Sequence, residues 1–311
     1  MAATSAPAPS LRGASSYTPY DATAMMWARS DSRRQMLWVN SGADAGKLLE
    51  SSANPAQRPD WILCSQGVVA ALAARGESPV IIATVHRSPD SLLPLFRKPV
   101  KPIKGSRTLI IPRSSIDFAF SNLMKREGVS RMDVQIPQVE KADFSLISSL
   151  LGKPAGDPNA LDFAILVEPF ITNVMTESPG AFDVGKGGVY DLHYSVVVRR
   201  EDLQSRRADF VKLLRELLAA NLRLQGMPDV LYFEELWGRQ KGGRPEVLPR
   251  LFTYHRDPAG MGLDAAALRG ALRDELQYLT STYPQDLRMP DNVDALVDET
   301  LFREVAPDRL K

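Results

Sequence analysis

The sequence predicts an α/β protein folded into two lobes. Three observations predict it. The chain has 311 residues, past the roughly 250–300 at which a single hydrophobic core stops growing. Its first 90 residues alternate short β-branched runs with small-residue helices, the pattern of a largely parallel sheet. A proline-rich bridge then precedes a second round of the same pattern.

The elements follow in chain order. Ser10–Tyr17 reads as a first strand, and Pro19 opens the helical run Ala22–Ala28. Arg34–Asn40 is a strand, and Ser41, Gly42, Ala43 and Asp44 turn and cap the helix Ala45–Glu50. Asp60–Gly67 is an apolar run ending in polar residues. Val68–Gly76 is a small-residue helix stopped by its glycine. Pro79–Val85 is continuously apolar and β-branched, which suits a strand buried on both faces.

Leu92–Arg107 carries Pro94, Pro99 and Pro102, too many for one regular element, and is expected to cross between lobes. Thr108–Pro112, Met132–Pro137 and Leu161–Val167 are expected strands, and Ser114–Glu127 is an amphipathic helix stopped by Gly128. The valine run Tyr194–Arg200 returns the chain to the first lobe. Helices follow through Phe210, Leu213, Leu214, Leu217 and Leu218, and through Leu268, Leu272, Leu276 and Leu279. The expected division is residues 1–104 with 195–311 in the first lobe and 105–194 in the second.

Composition narrows the function. Lys and Arg number 38 against 37 Asp and Glu, so there is neither a basic footprint for nucleic acid nor a polybasic membrane patch. No apolar run approaches the roughly 20 residues that span a bilayer. The lone Cys64 excludes an intrachain disulfide and a multi-cysteine zinc site. His86, His193 and His255 do not share helical ligand spacing, so neither a metal nor a cofactor is expected. Met1–Ser16 is rich in small residues and proline and lacks the apolar stretch of a secretory leader, which leaves a cytosolic protein and a chain without its leader both open.

Two strand-to-helix turns carry candidate binding groups. Arg113, Ser114 and Ser115 place a guanidinium and two hydroxyls at a helix start, where free N–H groups favour an anion; a plain helix cap is the competing reading. Cys64, Ser65, Gln66 and Gly67 form the second turn, whose competing reading is an ordinary connection. Ser41 lies at a third such turn. Tyr17, Tyr20 and Trp38 are candidate aromatic walls, with packing as the alternative. Gly185–Gly188 is glycine-rich but precedes a strand, so it is neither a Walker loop nor a dinucleotide fingerprint.

Four segments resemble one family: DWILCSQGVVAALAARGESPVIIATVHRS, KPIKGSRTLIIPRSSIDFAFSNLMKREGVSRMDV, DFAILVEPFITNVM with its Glu168-Pro169-Phe170, and NVDALVDETLFREV. The family is the periplasmic substrate-binding proteins of nitrate, sulfonate and taurine ABC importers, the NMT1/THI5-like superfamily. Residues 1–59 depart from its pattern. The resemblance implies a type II periplasmic-binding-protein-like fold that closes by hinge motion on a small, anionic or aromatic solute. It also implies a periplasmic setting and an ABC permease as partner; a monomer is expected. Glu168 is the family's motif glutamate, facing either the cleft or a contact between lobes. Some proteins of this fold are enzymes, either desulfinases with a cysteine nucleophile or thiamin-pyrimidine synthases with clustered cysteines. The clustered cysteines are absent here, and a desulfinase-like reading needs Cys64 activated by His86. A cytosolic ligand sensor is a third reading.

Overall fold

The computed structural model describes residues 11–16, 19–139, 142–168, 170–228 and 260–311. The described strands form two sheets. The first contains β1 (Arg12–Ser16), β2 (Gln35–Val39), β3 (Trp61–Ser65), β4 (Pro79–Ser88) and β8 (Leu192–Arg199), in the order β2-β1-β3-β8-β4. β1 runs parallel to β2 and β3, while β8 is antiparallel to both β3 and β4. The carboxyl ends of β1 to β4 and the amino end of β8 therefore share one edge. Helices α1 (Ala22–Arg29), α2 (Gly42–Leu49) and α3 (Gln66–Ala74) begin there.

The second sheet is β5 (Leu92–Arg97), β6 (Phe163–Val167) and β7 (Phe182–Val184), in the order β6-β5-β7. Here the sequence expectation is corrected: Leu92–Arg97 is a strand of this sheet, not a bridge between sheets. β7 pairs only Leu95–Arg97, so Pro94 lies past its end, where a missing donor costs no ladder bond on that side. The Pro94 carbonyl still accepts from the Gly185 N–H at 2.7 Å. The chain passes between sheets at Pro89–Ser91 and returns through Gly185–Asp191.

Thr108–Pro112 and Met132–Pro137 are not strands. One bridge, Arg107 to Gln135, joins the two stretches, and Met132 and Asp133 belong instead to the helical turn Arg131–Asp133, capped by Ser130. Helix α2 also starts earlier than expected, at Gly42, with Ser41 as its cap.

Helix α4 (Ser115–Glu127) lies between the sheets. Ser114 caps it and Gly128, at φ 64°, ends it in the left-handed region that favours glycine. Phe120 on α4 packs on Phe163 of β6, and both belong to one core that continues through the first sheet. A smaller core lies beneath α5 (Phe144–Gly152) and α6 (Phe170–Glu177). α7 (Arg200–Ser205), α8 (Arg207–Gly226), α9 (Ala265–Thr282) and α10 (Thr300–Val305) complete the described helices; α8 and α9 bury the leucine faces that their spacing predicts. No described helix is long and apolar enough to cross a membrane.

Packing in the first sheet leaves no room for a side chain at Gly13. A Cβ there would come within 2.5 Å of the Trp61 ring and of the Met36 sulfur, while Trp61 meets Trp27 edge to face at 5.2 Å. Gly13→Val is expected to destabilise by at least the 1–3 kcal/mol typical of overpacking. A denaturant midpoint equal to the parent's would contradict this packing.

Candidate functional site

The shared edge of the first sheet gathers buried polar side chains. Ser65, Tyr194 and His86 stand abreast in the register of β3, β8 and β4. Beside them, Asp21 is fully buried and accepts from the Ser15 and Ser16 hydroxyls and from the Tyr194 hydroxyl at 2.9 Å. The Tyr20 ring lies 5.1 Å from His86 and 5.6 Å from Tyr194. Burial holds the Tyr20 and Tyr194 hydroxyls protonated well above the usual tyrosine range. The charges of Asp21 and, for Tyr20, of Glu168 at the end of β6 act in the same direction.

A second cluster joins four segments. The Ser65 and Ser115 hydroxyls are 3.0 Å apart. The Tyr190 hydroxyl, from the return crossing, lies 2.9 Å from the Ser115 Oγ and 3.2–3.4 Å from both carboxyl oxygens of Glu275 on α9. Glu275 presses on the first turn of α3, where a Cβ on Gly67 would fall 2.3 Å from its Oε1. Burial raises the Glu275 carboxyl to about 8, against the opposing pull of the Tyr190 hydroxyl. Because the Ser65 hydroxyl engages Ser115, it makes no capping bond to α3. Ser65 thus supplies no cap to α3, and the Gly67 N–H of its first turn is met by the Tyr190 hydroxyl, a contact that an anion bound at this helix start would replace.

A third cluster anchors α4. The buried Asp117 carboxylate accepts from Arg131 at 2.7 Å, from the Tyr278 hydroxyl at 2.8 Å, from the Tyr283 hydroxyl, and from the Arg113 N–H at 3.0 Å. Arg113 is left-handed, with φ 58°.

The predicted binding residues divide among these clusters. Ser65 and Ser115 meet directly. Arg113 does not point toward them: its guanidinium pairs with Asp286 and stacks over Tyr283 at 5.1 Å. Ser114 and Ser41 serve as caps, Ser114 accepting from Ile116 and Asp117 and donating to the Ile111 carbonyl, Ser41 accepting from Asp44. Gln66 clamps the return crossing, donating to the Asp191 carbonyl and accepting from the His193 N–H. Glu168 accepts from the N–H and hydroxyl of Thr172 at the start of α6. Tyr20 joins the Asp21 cluster, while Tyr17 lies outside the described residues. Trp38 is half-buried on β2, packed beside Met25 and Leu224.

Cys64 is fully buried beneath the start of α2, with Gly42 poised over its Cβ, and burial followed by the Asp21 charge pushes its thiol far above the nucleophilic range. Among the described residues, no group of three or more His, Cys, Asp and Glu is placed to hold a metal.

Sequence reasoning missed Asp21, Tyr190, Tyr194 and Glu275. Only Glu275 left a signal: it falls three residues after Leu272 and four before Leu279, on the apolar face of its helix.

No family model and no curated protein sequence matches the chain. Solved structures do. The alkanesulfonate-binding protein SsuA of Xanthomonas axonopodis pv. citri, bound to MOPS, superposes with a TM-score of 0.73 at 15% identity over 95% of this chain and 100% of that one. The periplasmic aliphatic sulphonate-binding protein SsuA of Escherichia coli gives 0.69 at 14% identity, covering 91% of this chain and 90% of that one. The periplasmic nitrate-binding protein NrtA of Synechocystis PCC 6803 gives 0.64 at 12%, covering 96% and 89%. These likenesses establish the fold: the chain has the two-sheet architecture of periplasmic binding proteins.

Glu275 makes stability depend on pH. Its folded value lies above the ordinary 4.5, so its contribution is complete below that value and is lost as pH rises through about 8. Across pH 5 to 8.5 the parent should lose a few kcal/mol relative to Glu275→Gln, read from urea unfolding at each pH. Parallel stability curves would contradict the assignment.

Proposed function

We propose that this chain is a solute-binding protein that holds a small anionic or aromatic organic solute between its lobes and delivers it to an ABC permease. The observation that carries the reading is the meeting of Ser65, Ser115 and Tyr190, from three separate segments, at the start of α3. Hydroxyls and helix-start amides there would receive a sulfonate, carboxylate or nitrate oxygen. The likeness to sulfonate- and nitrate-binding proteins supports the same class of solute. It also supports a periplasmic setting, and a monomer is the working state.

The lobes in this reading are the two sheets with their helices, with Pro89–Ser91 and Gly185–Asp191 as the paired crossings about which they close. Residues from Leu92 to Val184 would move as the second lobe, replacing the division at 104 and 195. Ser65 and Ser115 are assigned to the solute, with Tyr190 added. Tyr20 and Glu168 are assigned to the facing walls of the cleft, and Arg113 to holding α4.

An enzyme acting through Cys64 is disfavoured, because the thiol is buried and held protonated. Cys64→Ser should therefore leave solute affinity within about threefold of the parent.

A thermal-shift screen of alkanesulfonates, nitrate and aromatic carboxylates tests the function. A true solute at 100 times its dissociation constant should add about 2.7 kcal/mol of apparent stability. Ser115→Ala should lower its affinity by roughly 3–10-fold, the loss of one or two ordinary hydrogen bonds. Absence of any stabilising anion or aromatic solute would contradict the proposed class.

A further inference from the structure

We propose that closure of the two lobes is coupled to uptake of one proton at Glu275, so that the closed form is a protonated form. The inference rests on the reading that the lobes open and close about the paired crossings.

Glu275 sits where the moving parts meet. α9 carries it, and its carboxyl rests on the first turn of α3 in the first lobe. Tyr190 reaches it from the return crossing itself, the segment about which a hinge turns. The same hydroxyl holds Ser115 at the start of α4, which packs on the second sheet, and Ser115 holds Ser65 of β3. Tyr190 cannot keep all these contacts if the crossing rotates. Opening would part Ser115 from Ser65 and let water reach a carboxyl that is 1% exposed in this structure.

The surrounding groups leave the titration to Glu275. Tyr190 is the titratable side chain that touches it, and burial keeps that hydroxyl protonated. From α4, Asp117 pairs with Arg131 of its own lobe and accepts from the Tyr278 and Tyr283 hydroxyls of the first, contacts that opening would break together with Ser115 to Ser65. Beside Tyr190, Asp191 is paired with Arg87 and lies 3.5 Å from His193 Nε2. The segment Gln66–Ala74 of α3 carries no charged residue. A dry carboxyl in this setting stays neutral where a solvated one ionises, and the difference in proton occupancy between closed and open forms is a coupling free energy.

A static buried carboxyl would alter stability with pH but would not change the shape of the folded protein. The test is therefore the radius of gyration of the ligand-free folded chain, measured by X-ray scattering from pH 5.5 to 9. Between the open-state and closed-state values of the carboxyl, the ratio of closed to open molecules should fall tenfold per pH unit, as one linked proton requires. The parent should expand along this range, and Glu275→Gln, a neutral side chain of the same shape, should stay compact throughout. Tyr190→Phe removes the hydroxyl that favours the carboxylate, and its expansion should move to higher pH. This variant keeps the proposal testable if the glutamine form fails to fold.

A wedge variant, Ser115→Trp, separates this inference from the hinge reading. If the wedge expands the protein while the parent radius ignores pH, lobes open but carry no linked proton, and the coupling is overturned. Equal expansion of the parent and Glu275→Gln would overturn it as well, by assigning the proton elsewhere. If the folded wedge variant keeps the parent's radius, the hinge reading falls and takes the coupling with it.

Discussion

The structure depends on how a single helix, α4, is held between two sheets. Its anchor is the Asp117 carboxylate, fully buried and surrounded by Arg131, two tyrosine hydroxyls and a backbone N–H. A buried charge without such partners would cost several kcal/mol. With them it sets the direction of α4 relative to α9 in this arrangement of the lobes. Three contacts follow from that direction. Ser115 is carried to Ser65, Asn122 holds the return crossing through the Val189 carbonyl, and Phe120 packs the helix onto β6. The anchor is polar and directional where the surrounding core is not, so it determines the orientation that hydrophobic contact alone leaves loose.

The same economy explains why so many polar side chains lie buried at the edge of the first sheet. Four parallel strands end there and three helices start there, so the chain must supply partners for free N–H groups and for strand ends. Ser41 and Ser114 serve that need locally, as caps. Ser65 does not, because its hydroxyl reaches across to α4. A capping serine serves its own helix while a bridging one joins two elements, and which of the two a serine becomes depends on where the next helix lies.

This is also where the sequence becomes illegible. Alternating strands and helices, the stop glycines Gly76 and Gly128, and the leucine faces of α8 and α9 were readable, because each is set by residues close in the chain. Pro94 misled, because whether a proline breaks a strand depends on how far a neighbouring strand extends. Arg113 misled in the same way: a guanidinium at a helix start resembles an anion site until Asp286, 173 positions later, is found beside it. Cys64 and Ser65 are adjacent in the chain, yet one is sealed beneath α2 and the other faces α4. Tyr194 opens the expected return strand, and only the register of β8 against β3 and β4 brings it to the site, whereas Tyr190 lies outside any strand and reaches Ser115 and Glu275 from the return crossing.

The account claims that solute is trapped by approach of one lobe to the other. The most direct measurement is the distance between spin labels on Lys47→Cys in the first lobe and Lys104→Cys in the second, both well exposed, with the buried Cys64 left unlabelled. Saturation with a solute that stabilises the protein should shorten that distance and narrow its distribution. The same broad distribution with and without bound solute would contradict trapping between lobes.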